Sequence, residues 1–228
     1  MNDESTSEHL ARSGPTSITS RTYERLRHDI LAGVLAPGSK LKIEELRRIL
    51  GTGASPIREA LSLLTSDQLV QRIDQRGFRV ARVSKTEFEE LLRTRAWLEE
   101  RALRESIARG DTSWEEGIVL AHYHLSRTPR SIDGEPNTDW ESCHRAFHRT
   151  LIGACDSSIL LRFCDQLYDQ NVRYRYLAGR SAYPKRDINR EHEELMQAVL
   201  ERNSDLAVQR LLAHYRLTGQ FLSKRFGA

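Results

Sequence analysis

The chain has 228 residues, 39% hydrophobic and 29% charged, a globular composition with room for one large or two modest cores. No apolar run approaches the roughly 20 residues of a membrane span, so a membrane-embedded chain is excluded and no membrane partner is expected. The formal charge is +3, but residues 21–82 carry 12 Lys/Arg against 7 Asp/Glu, a net of +5, whereas residues 85–228 carry 22 of each. The basic excess therefore lies in the N-terminal third, where a polyanionic partner would be met.

Residues 1–16 read as a disordered tail. Met1 to Ser13 lacks the apolar centre of a secretory signal, and a cytoplasmic protein is expected. The spacing predicts a helix from Ser20 to Ala32, with Tyr23, Leu26, Ile30 and Leu31 inward and Gly33 as its stop. Ala36-Pro37-Gly38 is a turn. A second helix runs from Ile43 to Leu50. Ser55 is expected to cap a third, with Pro56 at its first helical position and Ile57, Ala60, Leu61 and Leu64 on its inner face. Leu69–Ile73 and Phe78–Val83 read as two strands joined at Gln75-Arg76-Gly77.

Three short helices and a hairpin make a winged helix-turn-helix over residues 17–84. The third helix is short enough to enter a major groove, and the hairpin tip is placed to touch a minor groove or the backbone. The candidate DNA-contacting residues are Lys42, Ser55, Arg58, Arg76 and Gly77, with Lys40, Arg47 and Arg48 as further phosphate contacts.

The remainder, residues 85–228, reads as an all-helical bundle, giving a mainly α fold overall. Ser84 caps the first helix. Helical spacing then covers Arg93–Ile107, Ser113–Leu125, Trp140–Ala154, Ser158–Leu177, Arg186–Leu200 and Asp205–Arg225, with breaks at Gly110, Pro129–Pro136, Ser157, Gly179–Pro184 and Asn203-Ser204. Cys143, Cys155 and Cys164 are odd in number and form no CxxC pair, so they read as reduced packing residues.

Four histidines in this half converge by pattern. His144 and His148 stand four apart, on the helix face that carries Trp140, Phe147 and Leu151. His192 shares a stripe with Ile188, Leu195 and Val199, and His214 one with Leu211, Leu217 and Phe221. Both lie 11 residues from Asn203, at the centre of a tight helix–helix turn. In an antiparallel hairpin, equal distances from the turn put two side chains at one level. Four imidazoles at one level suit a divalent transition metal, zinc first, with nickel, iron or copper as alternatives. The rival readings are a metalloenzyme and a purely structural metal site. There is no HExxH motif, and Glu191 and Glu193 should point away from the face of His192, so an enzyme is not expected.

Two resemblances sharpen these readings. The segment from Tyr23 to Val80, with ILAGVLAPG, PIREAL and RGFRV, resembles the DNA-binding domain of GntR-type regulators. It departs at Ala54-Ser55, where the family's usual pattern has Arg-Thr, so the usual operator core is not implied. HRAFHRTL, REHEEL and LLAHYRL resemble the metal-binding pattern of the FCD (FadR C-terminal) domain over roughly residues 87–222. By that resemblance His148, His192 and His214 are ligands, and His144 stands where Asp or Asn is usual. Arg95 and Glu99 in RTRAWLEERAL also match. The resemblance implies a homodimeric, ligand-responsive transcription regulator, a repressor by expectation, that binds double-stranded operator DNA and a small carboxylate effector. Arg95, Arg173 and Tyr174 are the candidate effector contacts, with Arg175 and Tyr176 beside them.

Overall fold

The computed structural model describes residues 17–178 and 186–225. The expected tail (1–16) and the Gly179–Pro184 break lie outside the described residues, the break but for its flanks.

The N-terminal unit comprises α1 (Ile18–Leu31), β1 (Lys40–Leu41), α2 (Ile43–Leu50), α3 (Ala54–Ser66), β2 (Val70–Ile73) and β3 (Gly77–Val80). Ser17 caps α1 by accepting from the Ser20 amide at 3.0 Å, so the helix starts two residues before the expected Ser20. Leu26, Ile30, Ile57, Ala60, Leu61 and Leu64 are fully buried and bind α1 to α3. The sheet runs antiparallel in the order β1-β3-β2, with Gln71 opposite Arg79 and Ile73 opposite Gly77. The two-residue β1 was not expected, being too short to show alternation.

One expectation needs correcting. Gly53, extended at φ −71° and ψ 165°, precedes α3 and supplies no side-chain cap. Ser55 is therefore the second helical residue, not the cap, and Pro56 the third. Its ring is still tolerated there, because the first-turn amides have no intrahelical partner.

The C-terminal unit is built from α4 (Lys85–Arg109), α5 (Thr112–Arg127), α6 (Thr138–Leu151), α7 (Ser158–Ala178), α8 (Ile188–Leu200) and α9 (Ser204–Arg225). Ser84 caps α4: its Oγ accepts from the Glu87 amide at 3.2 Å and donates to the Glu87 carboxylate at 3.1 Å. Asp111, Asn137 and Asp187 cap α5, α6 and α8, and Asn203 accepts from the Leu206 amide at the head of α9. α4 packs on α7 and α9, α5 on α6 and α8, and α8 on α9. Phe147, Leu103, Ile118, Leu195 and Val199 are the dry centre.

Between α5 and α6 the expected loop contains a small hairpin, β4 (Ser131–Ile132) and β5 (Glu135–Pro136). Its turn is Asp133-Gly134, both at positive φ (51° and 80°). That dipeptide is the turn's signature and was legible in the sequence.

The helix α7 belongs to both units. Tyr168 and Val172 join the core of the N-terminal unit. Asp169 ion-pairs with Arg27 of α1, Gln166 donates to the Ser66 carbonyl at 3.1 Å, and Gln170 to Gln68 at 3.3 Å.

Candidate metal centre

The four histidines meet. His144 and His148 come from α6, His192 from α8 and His214 from α9, all buried. One ring nitrogen from each lies within 4.8 Å of the other three. Ring centroids are 4.5 Å apart for His144–His148, 4.7 Å for His192–His214 and 5.4 Å for His148–His192. The equal spacing of His192 and His214 from Asn203 does place them at one level. A tetrahedral ion with bonds of about 2.0–2.1 Å needs donors about 3.3 Å apart, closer than the 4.8 Å that bounds this cluster.

The rings are in the form that binds metal. Burial first, and then the neighbouring imidazoles and arginines, push the pKa of His144, His148 and His192 well below the usual histidine value. The same burial takes His214 down to about 4, although the Glu191 carboxylate opposes it. Both nitrogens of His148 and both of His192 are buried without a hydrogen-bond partner. Orphaned buried polar atoms are costly and require an explanation, and four neutral nitrogen donors facing one point fit a divalent transition metal.

Two rings have their tautomer fixed from outside. Tyr168 donates to Glu141 at 2.6 Å, since a carboxylate only accepts. Its oxygen therefore accepts from His144 Nδ1–H at 2.7 Å, leaving the Nε2 lone pair for the centre. Glu191 lies 2.9 Å from His214 Nδ1 and fixes that ring in the same way. Burial opposes ionisation of Glu191, but hydrogen bonds from His214 and Arg186 prevail and hold its carboxyl at about 2. Glu191 was expected to point away. It does turn from His192, but on this helix it reaches across to α9.

Arg95 lies beside the cluster, 1% exposed. Its Nε donates to Glu99 at 2.5 Å, Nη2 to Tyr215 at 3.0 Å, and its guanidinium carbon sits 4.9 and 4.4 Å from the rings of Tyr168 and Tyr215. With its amide turned to accept, Asn171 joins Arg95 (2.8 Å) to Arg175 (3.1 Å). Arg175 in turn pairs with Glu141.

Arg173 and Tyr174 are not brought to this cluster; both line a groove between the winged unit and the C-terminal helices instead. Arg173 donates to the Ala81 carbonyl, and Tyr174 packs on Phe88 (4.6 Å) and donates to the Ser84 carbonyl at 3.4 Å. On a helix, residues two apart diverge by about 200°, so Arg175 faces the cluster and Arg173 does not.

The space beside His148 is a cavity of about 10 Å³, lined by Glu99, Arg145 and Tyr168 among others. That is near the minimum for one water. His122 stays outside the cluster, its ring 5.7 Å from Phe147.

On the N-terminal unit the expected DNA-contacting residues share one property. Lys42, Ser55, Arg58, Arg76 and Gly77 are all exposed, while Ile57, Ala60, Leu61 and Leu64 turn inward. Gly77 sits at φ +87° with open space around its missing Cβ. Lys42 pairs with Glu45 at 2.8 Å.

Comparison with known proteins agrees with this architecture. Residues 18–80 match the family described as bacterial regulatory proteins, gntR family, and residues 90–217 match the FCD domain. The uncharacterized HTH-type transcriptional regulator BphR of Paraburkholderia xenovorans is 38% identical over 87% of this chain and 82% of its own. The HTH-type transcriptional repressor GlaR of Escherichia coli is 32% identical over 84% and 90%. The solved structure of E. coli McbR/YncC superposes with a TM-score of 0.76 at 19% identity, covering 93% of this chain and all of the other, and supports the fold. Taken with the winged head and the helical body, these matches show that the chain belongs to the GntR family of bacterial regulatory proteins, FCD type: a DNA-binding transcription regulator and not an enzyme.

Proposed function

We propose that this regulator is a cytoplasmic homodimer that represses from a near-palindromic operator, and that it responds to a small organic acid at a metal-containing site in its C-terminal domain. The observation that carries the reading is the convergence of four buried imidazoles, two of them with no partner at either nitrogen. His144, His148, His192 and His214 would hold the ion, zinc first, with nickel, iron or copper as alternatives. When bound, the ion supplies a fixed positive charge in a low-dielectric interior. The residues around it do the rest. Tyr168 and Glu191 orient two rings, and Arg95, clasped by Glu99, Tyr215 and Asn171, adds a permanent positive charge. The charge of the bound ion, rather than that of the Glu99-paired Arg95, would favour an anion nearby. An acid changes operator affinity only so far as it binds the DNA-competent and incompetent states unequally. The repressor naming of one relative supports the direction.

Lys42, Ser55, Arg58, Arg76 and Gly77 are proposed to meet DNA, Arg58 at base edges and Lys42, Arg76 and Gly77 at the backbone or minor groove. Metal analysis of the purified chain should find about one divalent ion per protomer, lost in His148→Ala. Arg58→Ala should abolish specific operator binding with an unchanged melting temperature. Full metal content in the His148 variant would overturn the metal reading, and unaltered operator affinity in the Arg58 variant would overturn the reading helix.

A purely structural role for the metal has one observation in its favour: four imidazoles would leave no open position on a four-coordinate ion, and the adjoining cavity is about 10 Å³. On that reading, removal of the metal lowers the melting temperature and leaves acid binding intact.

A further inference from the structure

An open groove of about 660 Å³ runs between the winged unit and the helical body, and none of the four clustered histidines lines it. The winged side contributes Gln71 and Arg72 from β2 and Arg82 from the link that follows β3. The helical side contributes Glu87, Glu90 and Thr94 from α4 and Arg173 from α7. An occupant of this groove touches both units at once.

Arg173 is the unusual member. It is 4% exposed, its Nη2 donates to the Ala81 carbonyl, and its Nε is buried without a partner. Other guanidiniums taken into the interior have a carboxylate: Arg95 has Glu99, and Arg27 has Asp169. Arg173 forms no ion pair among the described residues. Burial prevails over the nearby Tyr174 and Glu87 and pulls its pKa below the usual guanidinium value. The Glu87 carboxylate is engaged instead by Ser84 Oγ, at 3.1 Å. A guanidinium keeps its proton, and a buried charge with no counter-ion is costly, so an anion arriving in the groove relieves that cost.

Arg72 and Arg82 are exposed on the opposite wall and likewise form no ion pair among the described residues. Set against Glu87 and Glu90, the three arginines leave the groove one net positive charge. We propose that this groove binds a small phosphate monoester, with its phosphoryl group on Arg173 and the exposed Arg72 and Arg82 completing the cationic wall. A phosphoryl group brings three terminal oxygens and a charge of about −1.5 to −2, so it can meet more than one guanidinium, whereas a carboxylate has two oxygens and one charge. Small-molecule sites occupy about 300–1,000 Å³, so space remains for an organic part beside the Gln71 and Thr94 side chains. The site is separate from the histidine cluster and leaves the acid proposed there in place.

The test is calorimetric titration of the full chain, in a buffer free of phosphate, with ribose 5-phosphate, ribose and inorganic phosphate. Ribose 5-phosphate should bind, inorganic phosphate should compete with it at higher concentration, and ribose should not bind. Arg173→Gln should weaken ribose 5-phosphate at least tenfold. Arg72→Glu should do the same from an exposed strand position, without moving the melting temperature. Chelation and His148→Ala should leave the binding as it is. Equal binding in wild type and Arg72→Glu overturns the proposal, as does binding of ribose as tight as that of its phosphate. Binding lost on chelation puts the phosphate at the metal and also overturns it. No binding of ribose 5-phosphate or inorganic phosphate to the wild type overturns it outright, while the reading of the histidine cluster stands or falls by metal analysis alone.

Discussion

Acidification of the metal-free protein offers a direct test of how the histidine cluster is built. The folded state holds His214 at about 4, against 6.5 for an ordinary imidazole. Below pH 6.5 the unfolded chain takes up a proton that the native chain refuses, so stability falls as the pH falls and levels off only near 4. Each pH unit in that window is worth about 1.36 kcal/mol per imidazole. Going from pH 7.5 to 5.0 therefore costs about 2 kcal/mol through His214 alone. His144, His148 and His192 shift in the same direction and steepen the slope. Glu191 does not interfere: its carboxyl is held at about 2, and its stabilisation is lost only as the pH drops below the ordinary carboxylate range. Urea unfolding followed by circular dichroism at pH 7.5, 6.5, 5.5 and 5.0, with chelator present, measures the slope. His214→Gln should flatten it by the share of one imidazole. A wild-type stability that is level between pH 6.5 and 5.0 would mean that these rings are solvated in the native state, and the reasoning from burial would be wrong.

Glu191→Gln keeps the size of the side chain but replaces the carboxylate that fixes His214 Nδ1–H. Zinc affinity, measured by competition with a chromophoric chelator, should drop about 10- to 100-fold. An unchanged affinity would show that Glu191 does not orient the ring. Gly110→Ala places a methyl 2.1 Å from Trp114 Cε3. The indole is held in place by its 2.8 Å hydrogen bond to the Thr150 carbonyl, so the clash should cost about 1–3 kcal/mol in urea unfolding. No loss of stability would show that the α4–α5 corner relaxes freely.

The parts of the site readable from sequence are those set by periodicity within a helix. His144 and His148 share a face because they are four apart, and His192 and His214 meet because their helices fold back at Asn203. The supporting residues are of another kind. Glu141, Tyr168 and Glu191 act across helix pairs, and no local spacing reports which glutamate on α8 crosses to α9. Which residues of the segment NVRYRYL face the cluster was not readable, because it alternates similar residues around the helix and only packing turns Arg175 rather than Arg173 toward it. The start of α3 was misjudged because Ser55 and Pro56 are both good early-helix residues. The extended Gly53 one step before Ala54 sets the boundary. Pro129–Pro136 was read as a plain loop, although Asp133-Gly134, both at positive φ, carries the signature of a hairpin turn.

The helix α7 gives the molecule a lever. Its 21 residues make a rod about 30 Å long. On one side it bears Tyr168, bonded to His144, and on another Gln166, Asp169 and Gln170, bonded to the winged head. A tilt of about 4° about one end would carry the other end about 2 Å, the size of the helix shifts that accompany allosteric transitions. The histidine cluster and the winged head thus hang on a single beam, so a substitution that shifts α7 is felt at both ends.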